Sequence, residues 1–289
     1  MRPNTARSYE MYLRRHLVPG LGHYRLDRLT PTAVQGFVDS KLAEGLSPQT
    51  VLHLRGLLRL ALNRAVKFGL VGRNVVLLTD PPKMKRKAVD FFTPEQARLF
   101  LAAAEDDPLE GLYVLALTTG LRQGELLGLR WVDVDLEKGE LRVLHQLQRV
   151  GGRLQLVEPK TLRTRRSTNL PHIAVSGLRA HRAAERVRLG PKWKDDGLVF
   201  TTSRGTPFEG RNVVRSFKRL LVKAGLPEVR FHDLRHSFAS LLLAQGVPLR
   251  VVMEMLGHST IRLTADTYSH VMPAAQRDAA NQLEALLLG

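Results

Sequence analysis

The sequence predicts a mainly α-helical protein with a small antiparallel β-sheet, organised as an all-helical first domain and a larger α+β second domain. Apolar residues recur at helical spacing along most of the chain. Thr30, Ser47 and Thr93 each precede a proline, and a capping hydroxyl followed by proline is typical of a helix start. Residues 132–170 instead alternate apolar and polar side chains between glycine turns, which indicates short strands.

Three helices are predicted in the first domain, over residues 5–17, 31–42 and 48–68, and the stretch PGLG at residues 19–22 is expected to end the first. One face of the third helix carries a polar side chain every fourth residue, of types that reach DNA bases and phosphates. This face is a candidate DNA contact, and a solvated helix face is the equally weighted alternative. The side chains are Arg55, Arg59, Asn63 and Lys67.

A basic linker is predicted between the domains, because residues 80–90 combine a proline pair with a run of basic side chains. We expect a first domain over residues 1–82, a linker over 83–92 and a second domain over 93–289. The basic side chains of the linker could follow a phosphate backbone. They are Lys83, Lys85, Arg86 and Lys87.

The second domain is predicted to begin with a capping box formed by Thr93 and Gln96, followed by an apolar helix over residues 109–117. Arg122 and Glu125 then share one face at the start of another helix. A guanidinium at a helix start could bind a phosphate. Taken alone, however, this spacing is better explained by a surface ion pair.

Strands are predicted over residues 132–134, 141–147 and 154–157, with Lys160 near the tip of the resulting sheet. A hairpin that carries this lysine and three arginines is a candidate for contacting a DNA groove, and the spacing leaves the role of the lysine open. The arginines are Arg163, Arg165 and Arg166. Helices are predicted over the remainder, at residues 174–189, 211–224, 232–244, 249–256 and 274–288.

Residues 231–270 contain a candidate set of two imidazoles, a guanidinium and a phenol. His232 and Arg235 share a helix face, His258 follows a helix stop, and Tyr268 lies in a polar segment ten residues later. Guanidinium groups pair with phosphate oxygens, imidazoles move protons near neutral pH, and a tyrosine can act as a nucleophile. The set indicates metal-free chemistry on a phosphodiester, although each residue taken singly is more often structural.

A metal site formed by His232, Asp233 and His236 is a weaker interpretation, because no HExxH motif or second acidic pair lies nearby. The chain contains no cysteine, which excludes a disulfide framework and cysteine zinc sites. No apolar run approaches the ~20 residues that span a membrane, and the amino terminus lacks an apolar signal segment. We therefore expect a cytoplasmic protein with no cofactor, no metal and no membrane partner.

The net charge of +17 favours a polyanionic partner, with nucleic acid as the first candidate. Residues 1–90 carry 16 basic and 6 acidic side chains, whereas the longer remainder carries 28 and 21. The positive charge is therefore most concentrated in the first third. Solubility alone and binding to a membrane surface are the alternatives.

Five motifs, TGLRQGEL, PKT, HDLRHSFAS, LGHST and DTYSH, occur in an order and spacing that resemble the tyrosine recombinases of the lambda-integrase type. The resemblance covers essentially the whole chain, since the part before Thr93 is similar to the family's core-binding domain and the rest to its catalytic domain. It implies a site-specific recombinase that cleaves and rejoins DNA through a 3′-phosphotyrosine at Tyr268, without metal or ATP. It also implies integration or excision of a phage or other mobile element.

The resemblance implies roles for five further residues. Arg122 and Arg235 would clamp the scissile phosphate, and His232 and His258 would hydrogen-bond it and assist proton movement. Lys160 would be the general acid that protonates the leaving 5′ oxygen. The segment between His258 and the tyrosine, STIRLTADT, differs in detail from the sequence more common in the family, although its length fits.

The partners that the resemblance implies are double-stranded DNA, further copies of the chain in a tetramer joined through the carboxy-terminal helix, and DNA-bending accessory proteins. The chain begins directly with the core-binding domain, so an arm-site-binding domain is expected to be missing. Three alternatives stay open: relaxation of DNA like a type IB topoisomerase, a non-catalytic DNA-binding protein on the same fold, and a metal-dependent nuclease.

Overall fold

The structure is a computed structural model that describes residues 1, 3–84, 90–158, 165–257, 284 and 286–288. The chain folds into two compact units, Met1–Lys87 and Ala88–Gly289. None of the helices that the structure describes is long and apolar enough to cross a membrane.

Helices form every regular element that the structure describes in the first unit. They are α1 (Pro3–Tyr12), a π-helical turn (Leu13–Leu17), α2 (Val18–Leu21), a 3-10 helix (Leu26–Arg28), α3 (Pro31–Ala43), α4 (Pro48–Lys67) and a second 3-10 helix (Val75–Leu78). The predicted caps of α3 and α4 are confirmed. The Thr30 hydroxyl accepts a hydrogen bond from the N–H of Ala33. The Ser47 hydroxyl accepts one from the N–H of Thr50.

The first helical segment runs beyond the predicted range 5–17 and ends within the predicted stop at residues 19–22, because α2 reaches Leu21. The chain continues from α1 through the π-helical turn into α2, and Pro19 lies in the first turn of α2. The Val18 N–H donates to the carbonyl of Leu13, five residues earlier, so the regular α-helical hydrogen-bond pattern is already interrupted just before Pro19, which has no N–H to donate. Gly20 then lets α2 approach α3 closely, since a Cβ at this position would lie 2.5 Å from the ring of Phe37.

The second unit combines helices with two small sheets. Its elements are α5 (Pro94–Ala104), α6 (Glu110–Thr119), α7 (Gln123–Leu127), β1 (Val134–Asp135), β2 (Glu140–Val143), β3 (Gln146–Val150), β4 (Arg153–Val157), β5 (Arg166–Asn169), α8 (His172–Leu189), α9 (Gly210–Lys223), α10 (Asp233–Ala244) and α11 (Leu249–Leu256). The predicted capping box of α5 is present, because Thr93 and Gln96 exchange hydrogen bonds. The predicted fold class, mainly α with small antiparallel sheets, is confirmed.

The prediction of one continuous strand over residues 141–147 is wrong. β2 pairs with β1 and β5, whereas β3 turns away and pairs with β4. Gly128 at the end of α7 permits a close approach of β3, because a Cβ there would lie 2.7 Å from the backbone nitrogen of Leu147. β3 packs on α7 and does not extend β2. The sequence analysis also missed β5, whose residues RSTN contain no apolar alternation.

An aromatic cluster forms part of the core of the second unit. The ring of Phe100 packs edge-on against Tyr113 and Phe217, with centroids 5.6 Å apart in each pair. Phe92 joins the cluster at 5.4 Å from Phe100, and its N–H donates to the hydroxyl of Ser237 over 2.9 Å. The beginning of the second unit is thereby fixed to α10, the helix that carries the predicted catalytic motif.

Candidate active site

Arg235 lies where the carbonyl ends of two helices meet. Its side chain is buried, and it donates through Nη1 to the carbonyl of Gly120 (2.6 Å) and through Nη2 to that of Leu256. Gly120 ends α6 in the left-handed conformation, which suits glycine. Carbonyls at helix carboxyl ends carry partial negative charge and stabilise a cation. The guanidinium of Arg235 is therefore fixed before any ligand binds.

Arg122 begins α7 and is held by Glu125. The Arg122 N–H donates to Oε2 of Glu125 over 3.0 Å, and Nη1 donates to Oε1 over 2.8 Å. The Arg122 side chain is 36% exposed, whereas that of Glu125 is only 3% exposed. The ion pair of Arg122 and Glu125 is thus half-buried. It is not the exposed surface ion pair that the three-residue spacing, taken alone, favoured.

Arg166 reaches the same carboxylate from β5. Its Nη2 lies 3.0 Å from Oε2 of Glu125, and its Nε donates to the carbonyl of Met255 over 2.9 Å. Only 8% of its side chain is exposed. The expectation that Arg166 contacts DNA from a hairpin is therefore corrected: the pairing of β5 with β2 directs this side chain into the unit.

Glu125 is a buried carboxylate between two guanidinium groups. Burial on its own would raise its pKa, but the charge and hydrogen bond of Arg166, followed by the N–H and charge of Arg122, lower the pKa below its usual value. Glu125 consequently stays ionised at neutral pH and keeps both arginines in place.

His232 precedes α10 and lies at the surface of the unit. Partial burial lowers its pKa, and the charges of Arg235 and Arg122 lower it further. Its imidazole is therefore neutral at physiological pH. Arg235 binds the carbonyl of Gly120, two residues before Arg122, and His232 lies three residues before Arg235 at the start of α10. The structure therefore brings together these three predicted site residues.

The carboxylate of Asp233 is bound to Arg230 and not to the histidines beside it. It accepts from the Arg230 N–H over 2.8 Å and from Nη2 over 2.7 Å, and it is buried. His232 and His236 contact each other edge-on, with centroids 5.6 Å apart. The hypothesised His–Asp–His metal site is therefore not formed by these side chains. The described ranges contain no group of three or more His, Asp or Glu side chains that could hold a metal ion.

Two predicted DNA contacts on α4 have structural partners. Arg55 donates to the carbonyls of Val76 (2.9 Å) and Thr79 (2.7 Å), so it fastens the second 3-10 helix to α4. This contradicts its assignment to a free DNA-binding face. The side-chain oxygen of Asn63 accepts from Asn74 over 2.7 Å, although Asn63 remains at the surface.

The other predicted contacts that the structure describes are exposed basic side chains: Arg59, Lys67, Lys83 and Arg165. Arg165 forms an ion pair with Glu158. The remaining predicted residues lie outside the described ranges: Lys85, Arg86, Lys87, Lys160, Arg163, His258 and Tyr268. The sequence did not reveal that Arg166 binds Glu125 or that Arg230 binds Asp233. For Arg230 a signal was available, namely an acidic residue three positions later.

Comparison with known proteins identifies the family of the chain. Residues 90–274 match the phage integrase family, and residues 1–42 match the N-terminal SAM-like domain of phage integrases. The chain is 32% identical to a tyrosine recombinase XerC-like protein of Caldanaerobacter subterraneus subsp. tengcongensis, over 99% of this chain and 79% of that protein. It is 30% identical to an integrase of Saccharopolyspora erythraea, over 100% of this chain and 79% of that protein.

Solved structures share the fold. The Tn1549 transposon integrase in complex with a circular intermediate DNA superposes with a TM-score of 0.85 at 24% identity, covering 98% of this chain and 94% of that one. A lambda integrase tetramer bound to a Holliday junction gives 0.68 at 22% identity, covering 92% and 72%. The fold is that of the tyrosine recombinases. The chain belongs to the phage integrase family, and it is an enzyme, a site-specific tyrosine recombinase.

Proposed function

We propose that this recombinase cleaves and rejoins double-stranded DNA through a covalent 3′-phosphotyrosine at Tyr268, for the integration or excision of a phage or other mobile element. The observation that carries the proposal is the pair Arg122 and Arg235, which the fold fixes beside His232. Relatives named as integrases of mycobacterial phages support the mobile-element role.

The two guanidinium groups supply the charge that phosphoryl transfer needs. Negative charge builds on the equatorial oxygens of the phosphorus in the transition state, and donors that are already in place stabilise it without reorganisation. Arg235 is held by helix-end carbonyls and Arg122 by Glu125, so neither has to be ordered when DNA binds. The neutral imidazole of His232 can donate one hydrogen bond to the phosphate or accept a proton.

Strand cleavage in this scheme exchanges one phosphodiester for another. The phenol of Tyr268 gives its proton to the neutral imidazole of His232 and its oxygen bonds to phosphorus. The bond from phosphorus to the 5′ oxygen breaks, and Lys160 gives a proton to that oxygen. His258 assists in binding the phosphate. A 5′ hydroxyl reverses the step and releases the tyrosine, so the energy of the bond is retained and no ATP is consumed. Since arginines and histidines provide the charge stabilisation, we expect cleavage without a divalent metal ion.

DNA binding is assigned to the basic surface of both units. Residues 1–90 carry a net charge of +10, and exposed cations there would contact phosphates. The proposed contacts are Arg59, Asn63, Lys67, Lys83, Lys85, Arg86 and Lys87 in this part and Arg163 and Arg165 in the second unit. We further propose a tetramer on DNA joined through the carboxy-terminal helix, as the lambda integrase was solved as a tetramer.

Covalent capture tests the proposal. The full chain is incubated in EDTA with a pool of nicked duplexes of random central sequence, denatured, and separated on a gel that detects DNA attached to protein. We expect an adduct from wild type and from the control Tyr24→Phe, an exposed tyrosine of the first unit, and none from Tyr268→Phe. Sequencing the captured duplexes then supplies a defined substrate.

Three results would contradict the proposal. An adduct that persists in Tyr268→Phe would assign the nucleophile to another residue. An adduct that forms with magnesium but not in EDTA would contradict metal independence. Tight DNA binding by wild type with no adduct from the pool would favour a DNA-binding protein without cleavage activity.

A further inference from the structure

Arg166 joins three elements that meet at the site, although it faces away from the solvent. It starts β5, its guanidinium binds the carboxylate of Glu125 on α7, and its Nε binds the carbonyl of Met255 on α11. With 8% of the side chain exposed, a direct contact with DNA is disfavoured. Its effect on the reaction must therefore be transmitted through its partners.

The first partner is the carboxylate that holds Arg122. Oε2 of Glu125 accepts from the Arg122 N–H and from Nη2 of Arg166, both over 3.0 Å. Oε1 accepts from Nη1 of Arg122 over 2.8 Å, with Nη1 of Arg166 at 3.5 Å. Each carboxylate oxygen is thus shared by the two arginines. The orientation of Glu125, and with it that of Arg122, depends on Arg166.

The second partner is the end of α11. Its last two carbonyls are divided between two arginines, with Met255 bound to Arg166 and Leu256 bound to Arg235. The guanidinium of Arg166 also covers Gly257, where a Cβ would lie 3.1 Å from Nη1. A buried guanidinium that satisfies a carboxylate and a carbonyl at once fixes both of them.

We propose that Arg166 is a positioning residue of the recombinase: through Glu125 it aligns Arg122, and through Met255 it holds the end of α11 that binds Arg235. This inference rests on the proposed function, in which Arg122 and Arg235 bind the scissile phosphate. Arg166 itself touches neither DNA nor the reacting atoms.

The test compares Arg166→Lys and Arg166→Met with wild type in single-turnover cleavage of the captured duplex, at saturating protein. Lysine keeps the charge but cannot bind Glu125 and Met255 as a planar fork. We expect cleavage to slow about 10-fold in the lysine variant and about 100-fold in the methionine variant, as when one preorganised donor is lost. Since the DNA-binding surface is untouched, the dissociation constant for the duplex should change less than about 3-fold.

Arg188 provides the matched control. It is a partly buried arginine of the same unit that also binds a carboxylate, Glu185, and a backbone carbonyl, that of Thr202 (2.7 Å). Arg188→Lys and Arg188→Met should lower thermal stability and leave the cleavage rate of the folded protein unchanged. A general loss of packing would instead slow cleavage in both pairs of variants.

The pH profile separates positioning from packing. Without Arg166, the effect of burial is less compensated and the pKa of Glu125 should rise. Glu125 would then become protonated and release Arg122 as the pH is lowered, so cleavage by Arg166→Met should slow further at low pH. His232 titrates in every variant, so the difference from wild type reports Glu125. In the double variant Glu125→Gln with Arg166→Met, this additional pH dependence should vanish. Its rate should be close to that of Glu125→Gln alone, because Arg166 acts on Arg122 through that carboxylate.

The outcomes are distinguishable. If folded Arg166→Met cleaves at the wild-type rate, or if its defect is independent of pH and adds to that of Glu125→Gln, the positioning role is wrong while the proposed function stands. If the methionine variant fails to fold, the lysine variant decides by the same criteria. If wild type itself forms no adduct, the proposed function fails and this inference fails with it.

Discussion

At the scale of single residues, the two arginines proposed to bind the scissile phosphate are held by two different means. Arg235 is buried and bound by backbone carbonyls, whereas Arg122 is partly exposed and bound by one carboxylate. Backbone carbonyls do not titrate, so the position of Arg235 is insensitive to pH. The position of Arg122 depends on Glu125 remaining ionised, which the low pKa of Glu125 ensures. The positions of the two arginines therefore respond differently to pH.

His236 makes the stability of the second unit depend on pH. Burial, followed by the charge of His232, lowers its pKa from 6.5 to about 4. Because the unfolded chain then binds this proton more readily than the folded one, stability is highest above pH 6.5 and falls as the pH drops towards 4. We expect His236→Gln to lose much of this dependence between pH 7 and 5, measured as the shift in Tm of the second unit.

The exposed His23 of the first unit is the control for that experiment. His23→Gln should leave the acid destabilisation of the second unit as it is in wild type. If His236→Gln and wild type lose the same number of degrees between pH 7 and 5, His236 is not the group responsible.

At the scale of elements, the site depends on how helices end. α6 stops at Gly120 in the left-handed conformation, and the carbonyl of this residue binds Arg235. A Cβ at Gly120 would lie 2.5 Å from the ring of Phe238 and 2.9 Å from Leu256. Substitution therefore adds a steric clash to the backbone strain, and both act at the point where Arg235 is held.

Gly120→Ala should destabilise the second unit by about 3 kcal/mol or more, since overpacking and a left-handed alanine each cost about 1–3 kcal/mol. Gly225 is the matched control, with φ of 63° against 61° and nothing within 4 Å of an added Cβ. Gly225→Ala should cost only about 1 kcal/mol, from strain alone. Urea unfolding measures both, and equal losses would show that the contact with Phe238 is unimportant.

Local signals predicted the elements that begin with a cap, and they failed where distant contacts decide. The hydroxyls of Thr30, Ser47 and Thr93 specify helix starts within three residues, so sequence reveals them. The inward direction of Arg166 is set by the pairing of β5 with β2, more than twenty residues earlier, which a single polar tetrapeptide cannot indicate. Arg55 was misassigned for the same reason, because its partners lie beyond α4.

At the scale of the whole molecule, the charge of +17 should govern affinity for DNA. Each phosphate neutralised contributes about 0.9 to the slope of log affinity against log salt concentration, so a protein this basic should show a steep slope. The structure divides the cations of α4 into two kinds. Arg59 and Lys67 are exposed, whereas Arg55 is bound to backbone carbonyls of its own unit.

A salt titration of the affinity of the full chain for the captured duplex should distinguish the exposed cations from Arg55. Arg59→Gln and Lys67→Gln should each lower the slope by about 1 and weaken binding similarly for all sequences, because each loses one phosphate contact. Arg55→Gln should keep the slope and lower the Tm of the first unit, since it loses hydrogen bonds within the fold. A reduced slope in Arg55→Gln together with unchanged slopes in the other two would mean that Arg55 leaves its carbonyl partners to bind DNA, and the α4 surface would have to be reassigned.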